Sequence, residues 1–199
     1  YGKVTGTAEG RSGSMHLASP EDGLMTSSAI VASTVPLAVG AAFANKQRGN
    51  GEISCAIFGD GALSEGVFWE SLNAACAMQL PVLFVCEDNG YAIDTKPEVI
   101  HGFKRITDVV RQFKSSVFQE DSTDVEVLHD LTTKAIESIK ADGRPSFLLL
   151  KCYRYLQHVG VDQDFNDGYR SRAEYEEWLV LDPIALQRNR LLNNGWTEP

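Results

Sequence analysis

Ile53-Ser54-Cys55-Ala56-Ile57-Phe58 followed by Gly59-Asp60-Gly61, and later Pro81-Val82-Leu83-Phe84-Val85-Cys86 followed by Glu87-Asp88-Asn89-Gly90, decide the fold of this chain. Each apolar run is too short for a buried helix and is bounded by turn-forming residues, so both read as buried strands. Between them, Val67, Phe68, Leu72, Ala75 and Cys76 recur at helical intervals from Ser64 to Met78, with Ser64 as the expected N-cap. Leu80-Pro81 stops that helix. Strand, helix and strand with short joints form a βαβ unit, whose strands are parallel and whose crossover is right-handed.

Working outward, the same alternation continues. Ala29 to Lys46 is rich in small apolar residues and predicts a buried helix, bent or begun near Pro36 and ended by Gly49-Asn50-Gly51. A short helix is expected over 106–113 and a brief strand at Val117-Phe118-Gln119. A long helix follows over 124–140, then a buried strand over Ser146-Phe147-Leu148-Leu149-Leu150, and short helices over 173–178 and from Asp182-Pro183 through Leu192. Residues 1–28, punctuated by glycines, and 156–170, with their aspartates, read as loops; the Asp162, Asp164 and Asp167 group reads as solvated. The fold class expected is α/β, a doubly wound, mostly parallel sheet flanked by helices.

Composition bounds the function. The chain has 199 residues, 43% apolar and 23% charged, as expected of an ordinary globular domain rather than a disordered or disulfide-built one. Eighteen basic residues stand against 27 acidic ones, a net charge of −9, which argues against a nucleic-acid partner. No run approaches the ~20 apolar residues of a membrane helix, and nothing suggests secretion, so a cytoplasmic site is expected. Cys55, Cys76, Cys86 and Cys152 form no C-x-x-C pair and read as reduced core thiols. His101 and His129 read as surface residues, and His16 as a weak site candidate. The chain opens on Tyr1 rather than Met. One domain spanning 1–199 is expected, truncated at its N-terminus, with truncation at the C-terminus left open.

In an open parallel sheet, ligands bind beyond the carboxyl ends of the strands. Asp60 and Asn89, 29 positions apart, each follow such an end. A carboxylate, an amide oxygen and a backbone carbonyl suit Mg²⁺, which retains phosphate oxygens as ligands. Gly59 and Gly61 let backbone approach a phosphate, and the next helix aims its N-terminus at the same spot. The competing reading is an ordinary Gly-Asp-Gly turn followed by an Asn-Gly turn.

The wider series favours the site. Gly59-Asp60-Gly61-Ala62-Leu63-Ser64-Glu65-Gly66, Glu70-Ser71-Leu72-Asn73-Ala74-Ala75, Leu80-Pro81-Val82 and Glu87-Asp88-Asn89-Gly90-Tyr91-Ala92-Ile93 resemble the thiamine diphosphate motif. Specifically, they resemble that of the α subunit of the E1 component of 2-oxo acid dehydrogenases (pyruvate, branched-chain and acetoin types). Gly13-Ser14-Met15-His16, Ile30-Val31 with Val35-Pro36, Tyr153-Arg154-Tyr155, His158 and Tyr169-Arg170 extend the resemblance along nearly the whole chain. It implies a thiamine diphosphate-binding fold with Mg²⁺ held by the side chains of Asp60 and Asn89 and the carbonyl of Tyr91. Gly61 and Ala62 would lie against the diphosphate, Ala29 and Val31 would hold the pyrimidine, and His158 would stand near the diphosphate and the reacting centre. The implied activity is decarboxylation of a 2-oxo acid with passage of the acyl group to a lipoyl carrier. The implied partners are a β subunit in an α₂β₂ tetramer, bearing the glutamate that activates the cofactor, and a lipoyl acyltransferase. A mitochondrial matrix location follows if the source is eukaryotic.

Two departures stand out. Asp88 replaces the first residue of the usual Asn-Asn pair, and Leu156-Gln157-His158-Val159 replaces the usual His-Gly-His-Ser. The second removes a histidine and the serine that kinases modify. A non-catalytic scaffold or regulatory subunit keeping this fold, or a stand-alone thiamine diphosphate enzyme without lipoyl transfer, are the alternatives.

Overall fold

The computed structural model describes residues 1–197. Four strands, β1 (Ser54–Gly59), β2 (Val82–Asp88), β3 (Ser116–Glu120) and β4 (Ser146–Lys151), form one sheet in the order β1-β2-β4-β3. Every pairing is parallel, and the register places Gly59 opposite Glu87 and Asp88 opposite Lys151. The helices are α1 (Thr34–Arg48), α2 (Gly66–Met78), α3 (Pro97–Ile100), α4 (Ile106–Val110), α5 (Val125–Asp142), α6 (Arg172–Leu179) and α7 (Pro183–Asn193).

The sheet is covered on both faces. On one, α1, α2 and α4 pack over Ala56, Phe58, Val82, Phe84, Cys86, Phe147 and Leu149. On the other, Ala135 and Ile139 of α5 meet Leu83 and Leu148. The near-continuous apolar strands follow from this two-sided burial. Phe68 of α2 has no exposed surface and centres an aromatic cluster, 5.3 Å from Phe58, 6.2 Å from Phe147 and 6.3 Å from Phe84 between ring centroids. Burying one such side chain contributes about 1.5–3 kcal/mol.

Helix α1 begins at Thr34, so Pro36 falls in its first turn, where a missing N–H costs nothing. It ends at Gly49, which adopts a left-handed φ of 64° and caps two carbonyls of the last turn. Near that end Asn45 hydrogen-bonds Ser54 at the start of β1. Helix and strand therefore run in opposite directions, and the N-terminal end of α1 returns to the carboxyl edge of the sheet.

Several expectations change. Ser64 is not the cap of α2: a 3₁₀ turn over Asp60–Ser64 comes first, Glu65 is the boundary residue, and no side chain caps the helix. Trp69 Nε1 donates to the Leu63 carbonyl at 3.0 Å and clamps the turn onto the helix. Cys55 is exposed rather than core, because the β1 face it occupies extends beyond α5. Helix α3 carries no sequence periodicity and was not expected from the pattern. Asp164 is not solvated: its side chain is 1% exposed and ion-paired with fully buried Arg170.

Candidate functional site

Asp60 leaves β1 directly into the 3₁₀ turn, and Asn89 follows the last residue of β2. The strands are hydrogen-bonded neighbours with Gly59 paired to Glu87, so both residues emerge at the same carboxyl edge. They line one cavity of about 840 Å³, together with Asp88, Gly90, Tyr91 and residues of the 96–107 segment. Helix α3 packs against the turn that begins at Asp60, closing one side.

Asp60 is only 3% exposed, yet neither of its carboxylate oxygens has a hydrogen-bond partner among the described residues. Burial pushes its carboxyl above the ordinary value, and the nearby Asp88 charge adds to the shift. The amides of Asp60 and Asn89 and the Lys151 charge pull it back only in part. An unpartnered buried carboxylate is unfavourable unless a cation joins it.

The neighbouring groups are already committed. Asp88 Oδ2 takes Lys151 Nζ at 2.9 Å, and Oδ1 accepts the Gly90 N–H at 3.0 Å. Both Asp88 oxygens thus already have partners, unlike those of Asp60. Asn89 Oδ1 accepts the Tyr91 N–H at 2.9 Å, which fixes the direction of its amide and leaves a second lone pair. Tyr91 is 7% exposed, and its hydroxyl donates to Glu174 of α6 at 2.9 Å. Burial, then the Glu174 carboxylate, push the phenol up to about 12.

The donors fit a hard divalent cation: one carboxylate without partners, one amide oxygen and an adjacent loop of backbone carbonyls. Among the described residues there is no cluster of three or more His, Cys, Asp or Glu side chains able to hold a metal, so a thiolate- or imidazole-rich centre does not fit. Gly61 has a local packing reason as well. A Cβ there would stand 3.1 Å from the Ala92 Cβ, so its bareness admits the 90–95 loop. The helix N-terminus expected at this spot is displaced by the 3₁₀ turn.

Ala62 is buried in the turn beside Asp60. Ala29 and Val31 do not line the cavity. They lie in the exposed turn leading into α1. Ala32, next in the chain, holds a left-handed φ of 59°, and Ile93, two residues past Tyr91, one of 61°. Such conformations are uncommon for alanine and disfavoured for a β-branched residue, and they concentrate at functional turns.

His158 is exposed and also outside the cavity lining. Its Nδ1 lies 3.4 Å from Arg154, which donates to the Ile93 carbonyl at 2.9 Å. The loop carrying His158 is thereby tied to the loop that follows Asn89. Arg170 anchors that loop, with two bonds to Asp164 and others to the Arg154 and Leu156 carbonyls. Residues missed from sequence are Glu174 and His101. His101 is half-buried and lines the cavity, stacked 4.7 Å from Phe103, rather than lying on the surface. Neither carries a motif; only Glu174 being in helical register after Ser171 hinted at order there.

A family model described as dehydrogenase E1 component matches residues 1–199. The α subunit of acetoin:2,6-dichlorophenolindophenol oxidoreductase from Cupriavidus necator is 36% identical over 89% of this chain and 52% of its own length. The α subunit of the pyruvate dehydrogenase E1 component from Zymomonas mobilis is 35% identical over 99% of this chain and 55% of its own. The chain thus spans just over half the length of these relatives. Among solved structures, a transketolase variant from Pichia stipitis superposes with a TM-score of 0.53 at 21% identity, over 63% of this chain and 20% of that one. That likeness supports the α/β architecture.

Proposed function

The chain belongs to the dehydrogenase E1 component family, and from that premise we propose that it forms the diphosphate side of a thiamine diphosphate–Mg²⁺ site in the α subunit of a 2-oxo acid dehydrogenase. The observation that carries this reading is the Asp60 carboxylate, buried without a partner beside Asn89 at the carboxyl edge of parallel strands. A divalent cation supplies the missing counter-charge. Asp60 and Asn89 offer side-chain oxygens and Tyr91 its backbone carbonyl. Gly61 and Ala62 lie against the diphosphate, and the whole of 1–199 acts as one cofactor-binding domain.

When bound, thiamine diphosphate supplies the nucleophilic carbon and electron sink for decarboxylating a 2-oxo acid. The protein's own part is to hold and orient. The rigid strand ends fix the cation's oxygen ligands, so the diphosphate is anchored before substrate arrives. The turn of Ala29 and Val31 offers backbone groups to the pyrimidine. His158, on a loop fastened by Arg154 and Arg170, carries a proton or binds a developing oxyanion. A β subunit in an α₂β₂ tetramer completes the pocket and supplies the activating carboxylate, and a lipoyl acyltransferase receives the acyl group. No helix among the described residues is long and apolar enough to cross a membrane; we place the enzyme in the cytoplasm, or in the matrix of a mitochondrion.

Calorimetric titration of the full-length protein with its β partner, using thiamine diphosphate and Mg²⁺, tests the reading. Saturable binding that vanishes in Asp60→Ala is expected. No binding by the wild type, or unchanged binding by the variant, would overturn it.

A further inference from the structure

Tyr91 is the proposed carbonyl ligand, but its side chain points away from that task and into a buried junction. The ring stands edge-on to Tyr169, with centroids 5.5 Å apart, and only 7% of the residue is exposed. Its hydroxyl meets both oxygens of Glu174, at 2.9 and 3.1 Å. Glu174 lies in the first turn of α6, with its own N–H accepted by Ser171 Oγ at 3.1 Å. Helix α6 is held independently: Trp178 stacks on Tyr153 with centroids 5.5 Å apart, and its carbonyl accepts the Tyr155 hydroxyl at 3.2 Å. A fixed helix thus grips a two-turn loop by one charge-assisted hydrogen bond. On the backbone side, the Tyr91 N–H is bonded to Asn89 Oδ1. With the phenol and the amide both fixed, the Tyr91 carbonyl has little freedom to turn.

We propose that Glu174 is a positioning residue for the cation site, acting through the Tyr91 phenol to aim the Tyr91 carbonyl at the ion held by Asp60 and Asn89. This rests on the reading of the cavity as a divalent-cation site. Glu174 lines the same cavity as Asp60 and Asn89, but both its carboxylate oxygens face the Tyr91 hydroxyl, and Lys96, 6.0 Å from the Tyr91 ring centre, approaches the same ring without substituting for the carboxylate. A carboxylate–phenol bond is among the stronger hydrogen bonds, so losing it loosens the carbonyl by an amount visible in ion affinity.

The test uses the full-length chain with its β partner and thiamine diphosphate, with Mn²⁺ as the probe ion and free Mn²⁺ read by electron paramagnetic resonance. Tyr91→Phe keeps the ring and loses only the hydroxyl. It and Glu174→Ala should each weaken Mn²⁺ binding about tenfold, the loss corresponding to one hydrogen bond to a charged group. The double variant should be no worse than either single one. Glu174→Gln, which keeps an acceptor, should recover most of the affinity. Tyr155→Phe removes one of the contacts that dock α6 while the Trp178–Tyr153 stack remains, and should cost clearly less Mn²⁺ affinity than Tyr91→Phe. Equal affinity in wild type and Tyr91→Phe, additive losses in the double variant, or an equal loss in Tyr155→Phe each overturn the proposal. A wild type that binds no Mn²⁺ overturns the cavity reading itself and the positioning role with it.

Discussion

Replacing Asp60 by Asn isolates the physical cost at the heart of the cavity. The carboxylate is 3% exposed and neither oxygen is hydrogen-bonded, so in the ion-free protein its ionised form is a buried charge without a direct partner. Leaving a buried polar group unpaired costs about 1–3 kcal/mol, and a charged one lies at the upper end. Asp60→Asn keeps the shape and trades the charge for a neutral amide that is itself unpaired, so the ion-free protein should gain about 1 kcal/mol, or roughly 2–4 °C in Tm for a chain of this size. The pH dependence follows from the raised carboxyl pKa. Between the unfolded value and the higher folded one, the native state binds more protons than the unfolded state. Stability therefore falls as pH rises through that window, and the deficit persists above it. The variant should lack this fall. Thiamine diphosphate with Mg²⁺ reverses the ranking: at a hundred times its dissociation constant a ligand adds about 2.7 kcal/mol to the wild type and nothing to a variant that does not bind. The assay is thermal unfolding from pH 4 to 8, with chelator and then with cofactor and Mg²⁺. A variant less stable than wild type in chelator, or one still stabilised by cofactor, would refute the reasoning.

Gly61→Ala would drive a Cβ to 3.1 Å from Ala92, and a urea titration should show a loss of about 1–2 kcal/mol as the 90–95 loop is displaced. Asp164→Asn breaks an ion pair whose side chains are 1% and 0% exposed. A loss of about 3–5 kcal/mol is expected, with faster proteolysis between residues 152 and 171; unchanged cleavage would show that the pair does not hold the loop. Lys151→Met strips Asp88 of its cation. Lys151 is 39% exposed, so solvent screens the loss, and about 1 kcal/mol is expected in the same urea assay. Thiol titration at pH 7.5 should find slow reaction at Cys76 and Cys152, since burial pushes them to about 11 and 12; rapid modification of either would contradict their burial.

The alternation of elements was legible because it rests on local periods. The strands at 54–59, 82–88 and 146–151 and the helices α1, α2 and α5 lie within a few residues of where apolar spacing, Pro36 and Gly49 place them. β2 and β4, buried on both faces, have no polar side to blur the pattern, and β1 stays apolar even where Cys55 and Ile57 are exposed. The positions of Asp60 and Asn89 were legible for a related reason: each lies in the polar stretch just after an apolar run, and neighbouring parallel strands end at the same edge.

What depended on partners distant in sequence was not legible. Asp164 looked like one of three solvated aspartates until Arg170 and Tyr169 closed over it. Gly61 gave no sign that Ala92, 31 positions on, packs where its side chain would be. Glu174, 83 positions from Tyr91, carried no signal of the bond between them. A chain's spacing determines which residues leave a sheet at a given edge, because backbone hydrogen bonding imposes one geometry on every strand pair. Only the folded arrangement decides which of those residues are satisfied and which, like Asp60, are left buried with an unanswered charge, because that depends on where the remaining side chains come to rest.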